Sequence, residues 1–229
     1  VNQTPPQAAG KAGVVGAPHH YIVVEGPIGV GKTSLARRLA ASFECDLVLE
    51  QAGDNPFLER FYRNPRAAAF QTQLHFLFQR ARQVQDLRQP DLFNRVRVAD
   101  YLLEKDRLFA RLTLDEEEFA LYDQVYARLA IDAPVPDLVV YLQAPVDVLI
   151  DRIARRGIPC EQSIERRYLE RLGESYARFF LEYEAAPVLT VNAAEIDPVG
   201  SEEDYAALLS EVVRPRRGRH FFNPLKRLL

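Results

Sequence analysis

Eight consecutive residues constrain this chain more than any others: Gly26-Pro27-Ile28-Gly29-Val30-Gly31-Lys32-Thr33. They match the phosphate-binding loop pattern G-x-x-x-x-G-K-[ST], whose mechanism needs a strand before it and a helix after it. Both are legible. Tyr21-Ile22-Val23-Val24-Glu25 is a short apolar, β-branched run that reads as a buried strand, and Lys32 to Phe43 carries apolar residues at helical spacing. The glycines let backbone N–H groups converge on phosphate oxygens, and the helix amino terminus adds favourable partial charge. Gly26, Pro27, Ile28, Gly29, Val30, Gly31, Lys32, Thr33 and Ser34 are therefore the expected nucleotide-binding set. Lys32 is expected at the outer phosphates and Thr33 at a Mg²⁺ ion.

Further strands are expected at Leu47–Leu49, Val96–Ala99, Leu138–Leu142 and Val188–Val191. Helical patterns lie between them: a short one from Asn55 to Tyr62, a long one over Arg66–Leu87, and two within Leu102–Ala130. Others cover Val146–Arg156, Ile164–Glu184 and Glu202–Val213. Strands alternating with helices imply a parallel sheet covered on both faces, in which ligands gather beyond the carboxyl ends of the strands. Gly26, Glu50 and Asp100 all fall at such ends.

The remaining segments carry less. Residues 1–20 have no periodicity and no secretory apolar stretch, so a disordered leader is expected. The folded domain is expected over residues 21–213, followed by a basic, apolar tail over residues 214–229. Formal net charge is −3, which is no electrostatic footprint for nucleic acid. No apolar run reaches the length of a membrane span. Cys45 and Cys160 are the only cysteines, so no disulfide framework is implied and a reducing, cytoplasmic setting fits.

A phosphate-binding loop does not name a reaction. The guanine-reading Asn-Lys-x-Asp segment of a GTPase is missing, whereas Asp151-Arg152-Ile153-Ala154-Arg155-Arg156-Gly157 reads as an arginine-bearing lid over a transferring phosphoryl group. That combination suits a small-molecule kinase using a nucleoside triphosphate and Mg²⁺. Gln73 and Arg80 lie two helical turns apart and share a face, with Phe76 and Leu77 between them as an apolar wall for a base. A glutamine amide offers one donor and one acceptor, as an adenine or cytosine edge requires. Glu50 is a charge at a strand end facing the loop, costly unless used or paired.

Several stretches then add up: the phosphate-binding loop, Leu49-Glu50 with Asn55-Pro56-Phe57-Leu58, Phe61-Tyr62 with Pro65, Phe70-Gln71-Thr72-Gln73, Asp106-Arg107, and Arg152-Ile153 through Glu161-Gln162. In order and spacing, from about Tyr21 to Val191, the chain resembles the deoxyribonucleoside kinase family, especially its bacterial deoxyadenosine/deoxyguanosine branch. The resemblance implies a three-layer α/β kinase fold with a five-stranded parallel sheet, order 2-3-1-4-5. It also implies a homodimer through the helices after the second and third strands. The implied activity is transfer of the terminal phosphoryl group of ATP to the 5′-hydroxyl of a deoxyribonucleoside, purines favoured.

By the same resemblance Glu50 accepts the hydroxyl proton, and Tyr62 and Glu161 hold the sugar 3′-hydroxyl. Gln73 reads the base edge, with Gln71 as its competitor. Arg80 and Asp106 stand near the base and the catalytic carboxylate, and Arg152 and Arg156 act from the lid. Two departures stand out. Asp100-Tyr101-Leu102 lacks the arginine that many relatives carry after the third strand, which bears on Asp100 as a second metal ligand. Ile158 stands where many have another lid arginine. The competing readings are a thymidylate-like kinase, which would want a basic site for an acceptor phosphate, and a non-catalytic nucleotide-binding module.

Overall fold

The computed structural model describes residues 19–88, 96–129 and 133–223. The expected leader, apart from His19 and His20, and the last residues of the expected tail lie outside these. Strand β1 (Tyr21–Glu25) runs into the Gly-rich loop and helix α1 (Lys32–Phe43). Strand β2 (Asp46–Val48) is followed by a short turn and helices α2 (Leu58–Arg63) and α3 (Pro65–Arg88). Pro65 opens α3 at a position where its missing N–H costs nothing. Then come β3 (Arg97–Ala99), α4 (Lys105–Thr113) and α5 (Glu116–Arg128), the last started by a capping box of Asp115 and Glu118. The chain closes with β4 (Leu138–Gln143), α6 (Val146–Arg156), α7 (Arg166–Glu182), β5 (Val188–Asn192), α8 (Glu202–Val212) and β6 (Arg219–Phe222).

The sheet is parallel throughout, in the order β2-β3-β1-β4-β5-β6. The expected order of the first five strands is present, but among the described residues the sheet has six strands and not five. The sixth hides in sequence because Arg219-His220-Phe221-Phe222 has no apolar run. An edge strand buries only part of itself, and this one alternates exposed with half-buried residues. Its ladder to β5, the packing of Phe222 on the core, and donation from Arg219 to the carbonyls of Phe180 and Tyr183, both at 3.1 Å, hold it there.

Burial on both faces explains the near-continuous apolar strands. Ile22, Val24, Val98, Val140 and Val191 point to one side, where Leu35, Leu39 and Phe43 of α1 and Leu208 and Val212 of α8 cover them. Val23, Ala99, Val139, Tyr141 and Val188 point to the other, against Leu172, Tyr176 and Phe180 of α7. The Tyr141 and Phe180 rings stack with centroids 4.1 Å apart. Helices thus sandwich the sheet, and the three strand ends of β1, β2 and β3 open side by side.

Gly26 is where backbone crowding meets an unusual conformation: φ is +151°, and a Cβ there would lie 2.5 Å from the Leu142 carbonyl oxygen. Gly157, which ends α6, has φ +67° but open space around it. Gly157→Ala is expected to cost the roughly 1–2 kcal/mol of a left-handed residue. Gly26→Ala should cost clearly more, because backbone must move as well; urea unfolding midpoints of the two variants compare them directly.

Candidate active site

Asp100, the first residue past β3, is buried and accepts two hydrogen bonds from different parts of the sheet edge. Its Oδ2 accepts from the Thr33 hydroxyl at 2.5 Å, and its Oδ1 accepts from the Glu50 backbone N–H at 2.7 Å. One carboxylate therefore holds the phosphate loop and the end of β2 in fixed relation. The Lys32 ammonium arches over its own loop and donates to the carbonyls of Gly26 (2.8 Å) and Pro27 (3.2 Å). Burial, and then the nearby Lys105, lower its pKa, against the opposing pull of Glu25, Glu50 and Asp100.

Glu50 is held at both oxygens. Oε1 pairs with the Arg80 guanidinium, and Oε2 accepts from Lys105 Nζ at 3.2 Å. Burial alone would raise the Glu50 pKa, but Lys105, Arg80 and Lys32 outweigh it and keep the carboxyl well below the usual range. Arg80 also pairs with buried Asp106 and lies over the rings of Phe76 (5.0 Å) and Tyr101 (5.8 Å). Gln73, one turn of α3 before Phe76, lines with it a cavity of about 140 Å³ beside the phosphate loop.

Gln73 is 3% exposed, lines this cavity, and directs Nε2 to the Thr113 hydroxyl at 3.3 Å. Gln71 is exposed on the other side of the helix. Phe76 lines the cavity, but Leu77 does not: it packs with Ala110 and Tyr122, because α4 and α5 cover that side of α3. Tyr62 and Glu161 also line the cavity and lie near each other. Burial first, then the neighbouring Tyr168 and Glu161, raise the Tyr62 pKa well above its ordinary value, so it stays a neutral phenol.

Glu161 pairs with Arg156, whose side chain borders both this cavity and a larger groove along the phosphate loop. Arg152 lines only the groove and donates to the carbonyls of Val30 (3.0 Å) and Ala193 (2.7 Å), stitching the loop to the end of β5. Burial and then Arg155 lower its pKa. The two arginines expected to act from the lid thus have different surroundings here: Arg156 borders the cavity beside Glu161, and Arg152 is bonded to the back of the loop. Arg155 is exposed and bonds the Asp151 carbonyl, and Ile158 is partly exposed.

Two buried charges escaped the sequence reading. Glu25 closes β1 and accepts from the N–H groups of Gly26 and Leu102 and from the Tyr176 hydroxyl. Lys105 opens α4 and reaches back to Glu50. A glutamate ending an otherwise apolar strand was the available signal for the first; Lys105 had none stronger than its place beside Asp106.

Mg²⁺ prefers oxygen ligands and usually keeps several waters. The Thr33 hydroxyl and the Asp100 carboxylate, adjacent and beside the phosphate loop, are oxygen donors of the kind it takes. The donor set fits that ion.

Comparison with known proteins identifies the family. A family model described as "Deoxynucleoside kinase" matches residues 22–214. Deoxyguanosine kinase of Bacillus subtilis is 34% identical over 197 residues, spanning 84% of this chain and 95% of that protein. Deoxyadenosine kinase of Dictyostelium discoideum is 28% identical over 211 residues, spanning 89% and 83% respectively. Among solved structures, deoxyadenosine kinase from M. mycoides with bound dATP superposes with a TM-score of 0.73 at 22% identity, covering 84% of this chain and 98% of that one.

Removing one partner of a buried pair leaves the other charge without compensation, which typically costs about 3–5 kcal/mol. Arg80→Met, which strands Asp106, is expected to lose that much stability. Adding Asp106→Asn should recover a large part of it, as read from denaturant unfolding of the single and double variants.

Proposed function

The chain belongs to the deoxynucleoside kinase family, and on that premise we propose that it moves the terminal phosphoryl group of ATP to the 5′-hydroxyl of a deoxyribonucleoside. The observation that carries this reading is the double hydrogen bond of Asp100, which couples the phosphate loop at Thr33 to the base at Glu50. A non-catalytic nucleotide-binding module would have no use for a carboxylate held ionised at that distance from the loop. A monophosphate kinase would want cations free to meet an acceptor phosphate, and the acceptor side here carries Glu50 and Glu161, each already engaged by a cation.

In this reading the nucleoside lies in the cavity with its base against Phe76 and its edge at Gln73. Tyr62 and Glu161 hold the 3′-hydroxyl and turn the 5′-hydroxyl toward Glu50. Glu50 takes the hydroxyl proton, the 5′-oxygen bonds to the terminal phosphorus, and the bond from that phosphorus to the bridging oxygen of ADP breaks. Lys32 and Arg156 offset charge on the phosphoryl group, and Arg152 keeps the loop rigid beneath it. Thr33 and Asp100 would hold Mg²⁺, which when bound neutralises charge on the phosphate oxygens.

Purine deoxynucleosides are the proposed acceptors, supported by relatives named deoxyguanosine and deoxyadenosine kinases. A homodimer through α3 and α5 is proposed as well, supported by Phe78 and Leu121, which are 45% and 50% exposed on those helices. Among the described residues no helix is long and apolar enough to cross a membrane; a cytoplasmic setting, with both cysteines free, is part of the same proposal.

Glu50→Gln preserves shape and removes proton acceptance. Turnover with deoxyguanosine and ATP is expected to fall roughly 10²–10⁴-fold. A change confined to KM would instead make Glu50 a binding residue. A panel of the natural deoxynucleosides should rank the purines first, and thymidine as the sole good acceptor would overturn that choice.

A further inference from the structure

Lys105 is placed where a lysine is expensive. It is 2% exposed, although lysine is almost never fully buried unless paired. It opens α4, where the helix dipole disfavours a cation. It also stands near a second ammonium, that of Lys32. The composition sharpens the point. Of 29 lysines and arginines in the chain only Lys11, Lys32, Lys105 and Lys226 are lysines. Within the described residues, arginine serves everywhere except at the phosphate loop and at Lys105.

Neutralising Glu25 does not account for it. Glu25 already accepts from Gly26 N–H (2.8 Å), Leu102 N–H (2.7 Å) and the Tyr176 hydroxyl (3.0 Å). Lys105 Nζ is 3.7 Å from Glu25 Oε2 but 3.2 Å from Glu50 Oε2, so the ammonium leans into the cavity it lines. An ammonium has three donors. Among the described residues one hydrogen bond from Nζ is made, to Glu50.

We propose that Lys105 is a further catalytic residue: its ammonium donates to the acceptor's 5′-oxygen during transfer and to the new 5′-phosphate afterwards. This rests on the function proposed above. An oxygen that passes its proton to Glu50 sits about 2.6–3.2 Å from that carboxylate. A donor at the neighbouring corner of the same carboxylate is then within reach of the oxygen and of the phosphoryl group it receives. The balance is simple. The proton goes to Glu50, the 5′-oxygen–phosphorus bond forms, the bond to ADP breaks, and Lys105 keeps all its protons throughout. A compact ammonium suits this place, since a planar guanidinium needs more room and a fixed fork of partners.

The test separates charge from scaffolding by comparing two ligands that differ only in the phosphate. Kd values for 2′-deoxyguanosine and for its 5′-monophosphate are measured by calorimetry on the full chain and on Lys105→Met and Lys105→Arg. In Lys105→Met, monophosphate affinity is expected to fall about 10- to 100-fold, the range for losing a hydrogen bond to a charged group, with nucleoside affinity changed less than about threefold. Lys105→Arg should retain more monophosphate affinity than Lys105→Met. With only four lysines, the unsubstituted chain labelled with ¹⁵N-lysine gives a second reading that survives misfolding of either variant. The monophosphate should shift one ammonium signal besides that of Lys32, and should shift it further than the nucleoside does.

Equal loss for both ligands, no loss for either, or no such signal would overturn the assignment. Failure of the unsubstituted chain to phosphorylate any deoxynucleoside would instead overturn the proposed function, so the two failures are distinguishable.

Discussion

Asp100 stands at the centre of a physical constraint that the surrounding structure obeys. A buried carboxylate is costly unless its lone pairs are filled, and its two oxygens are filled by the Thr33 hydroxyl and the Glu50 N–H. Satisfying that one group brings the phosphate loop and the end of β2 together. Each further charge then needs its own partner. Glu50 takes Arg80 and Lys105, Arg80 takes Asp106, and Lys105 also approaches Glu25, which is satisfied from the backbone and by Tyr176. The chain of partners runs from the floor of the loop to the wall of the cavity. Such a network is rigid because any member that moves strands another in a low-dielectric interior.

The layers of the fold serve this arrangement. A parallel sheet buried on both faces aligns several strand ends on one edge, and the residues that follow β1, β2 and β3 become neighbours although they are far apart in the chain. The second layer contributes its share: Tyr176 of α7 is packed in the aromatic stack with Tyr141 and Phe180, and its hydroxyl reaches Glu25 beneath the loop. On the open side, arginines work at different depths. Arg152 bonds two backbone carbonyls and stiffens the loop, while Arg156 faces Glu161 at the cavity mouth. A single turn of helix separates them, so the difference comes from what each meets, not from their spacing.

How much of this could be read beforehand depends on whether the physics is local. The phosphate loop, its flanking strand and helix, and the alternation of strands and helices are short-range patterns, and they stand in the structure where they were expected. The site residues that lie at strand ends, Glu50 and Asp100, were legible because topology alone says that strand ends converge. Leu77 shows the limit. It shares a helix face with Gln73 and Arg80, yet α4 and α5 cover it, and only Phe76 reaches the cavity. The sixth strand shows another, since an edge strand held by its ladder and by Arg219 needs no apolar run of its own.

The amino-acid sequence by itself determined the class of fold, the phosphate-binding loop and the carboxylate facing it, because glycine conformation, hydrophobic period and strand-end placement are properties of neighbouring residues. Tertiary structure alone decided which oxygen of Asp100 holds which element. It also decided that Gln73 and not Gln71 faces the cavity, that Arg152 turns to the loop, and that Glu25 and Lys105 join the buried charges. Those outcomes turn on which distant groups can satisfy one another away from water, and that pairing exists only once the strands and helices have packed.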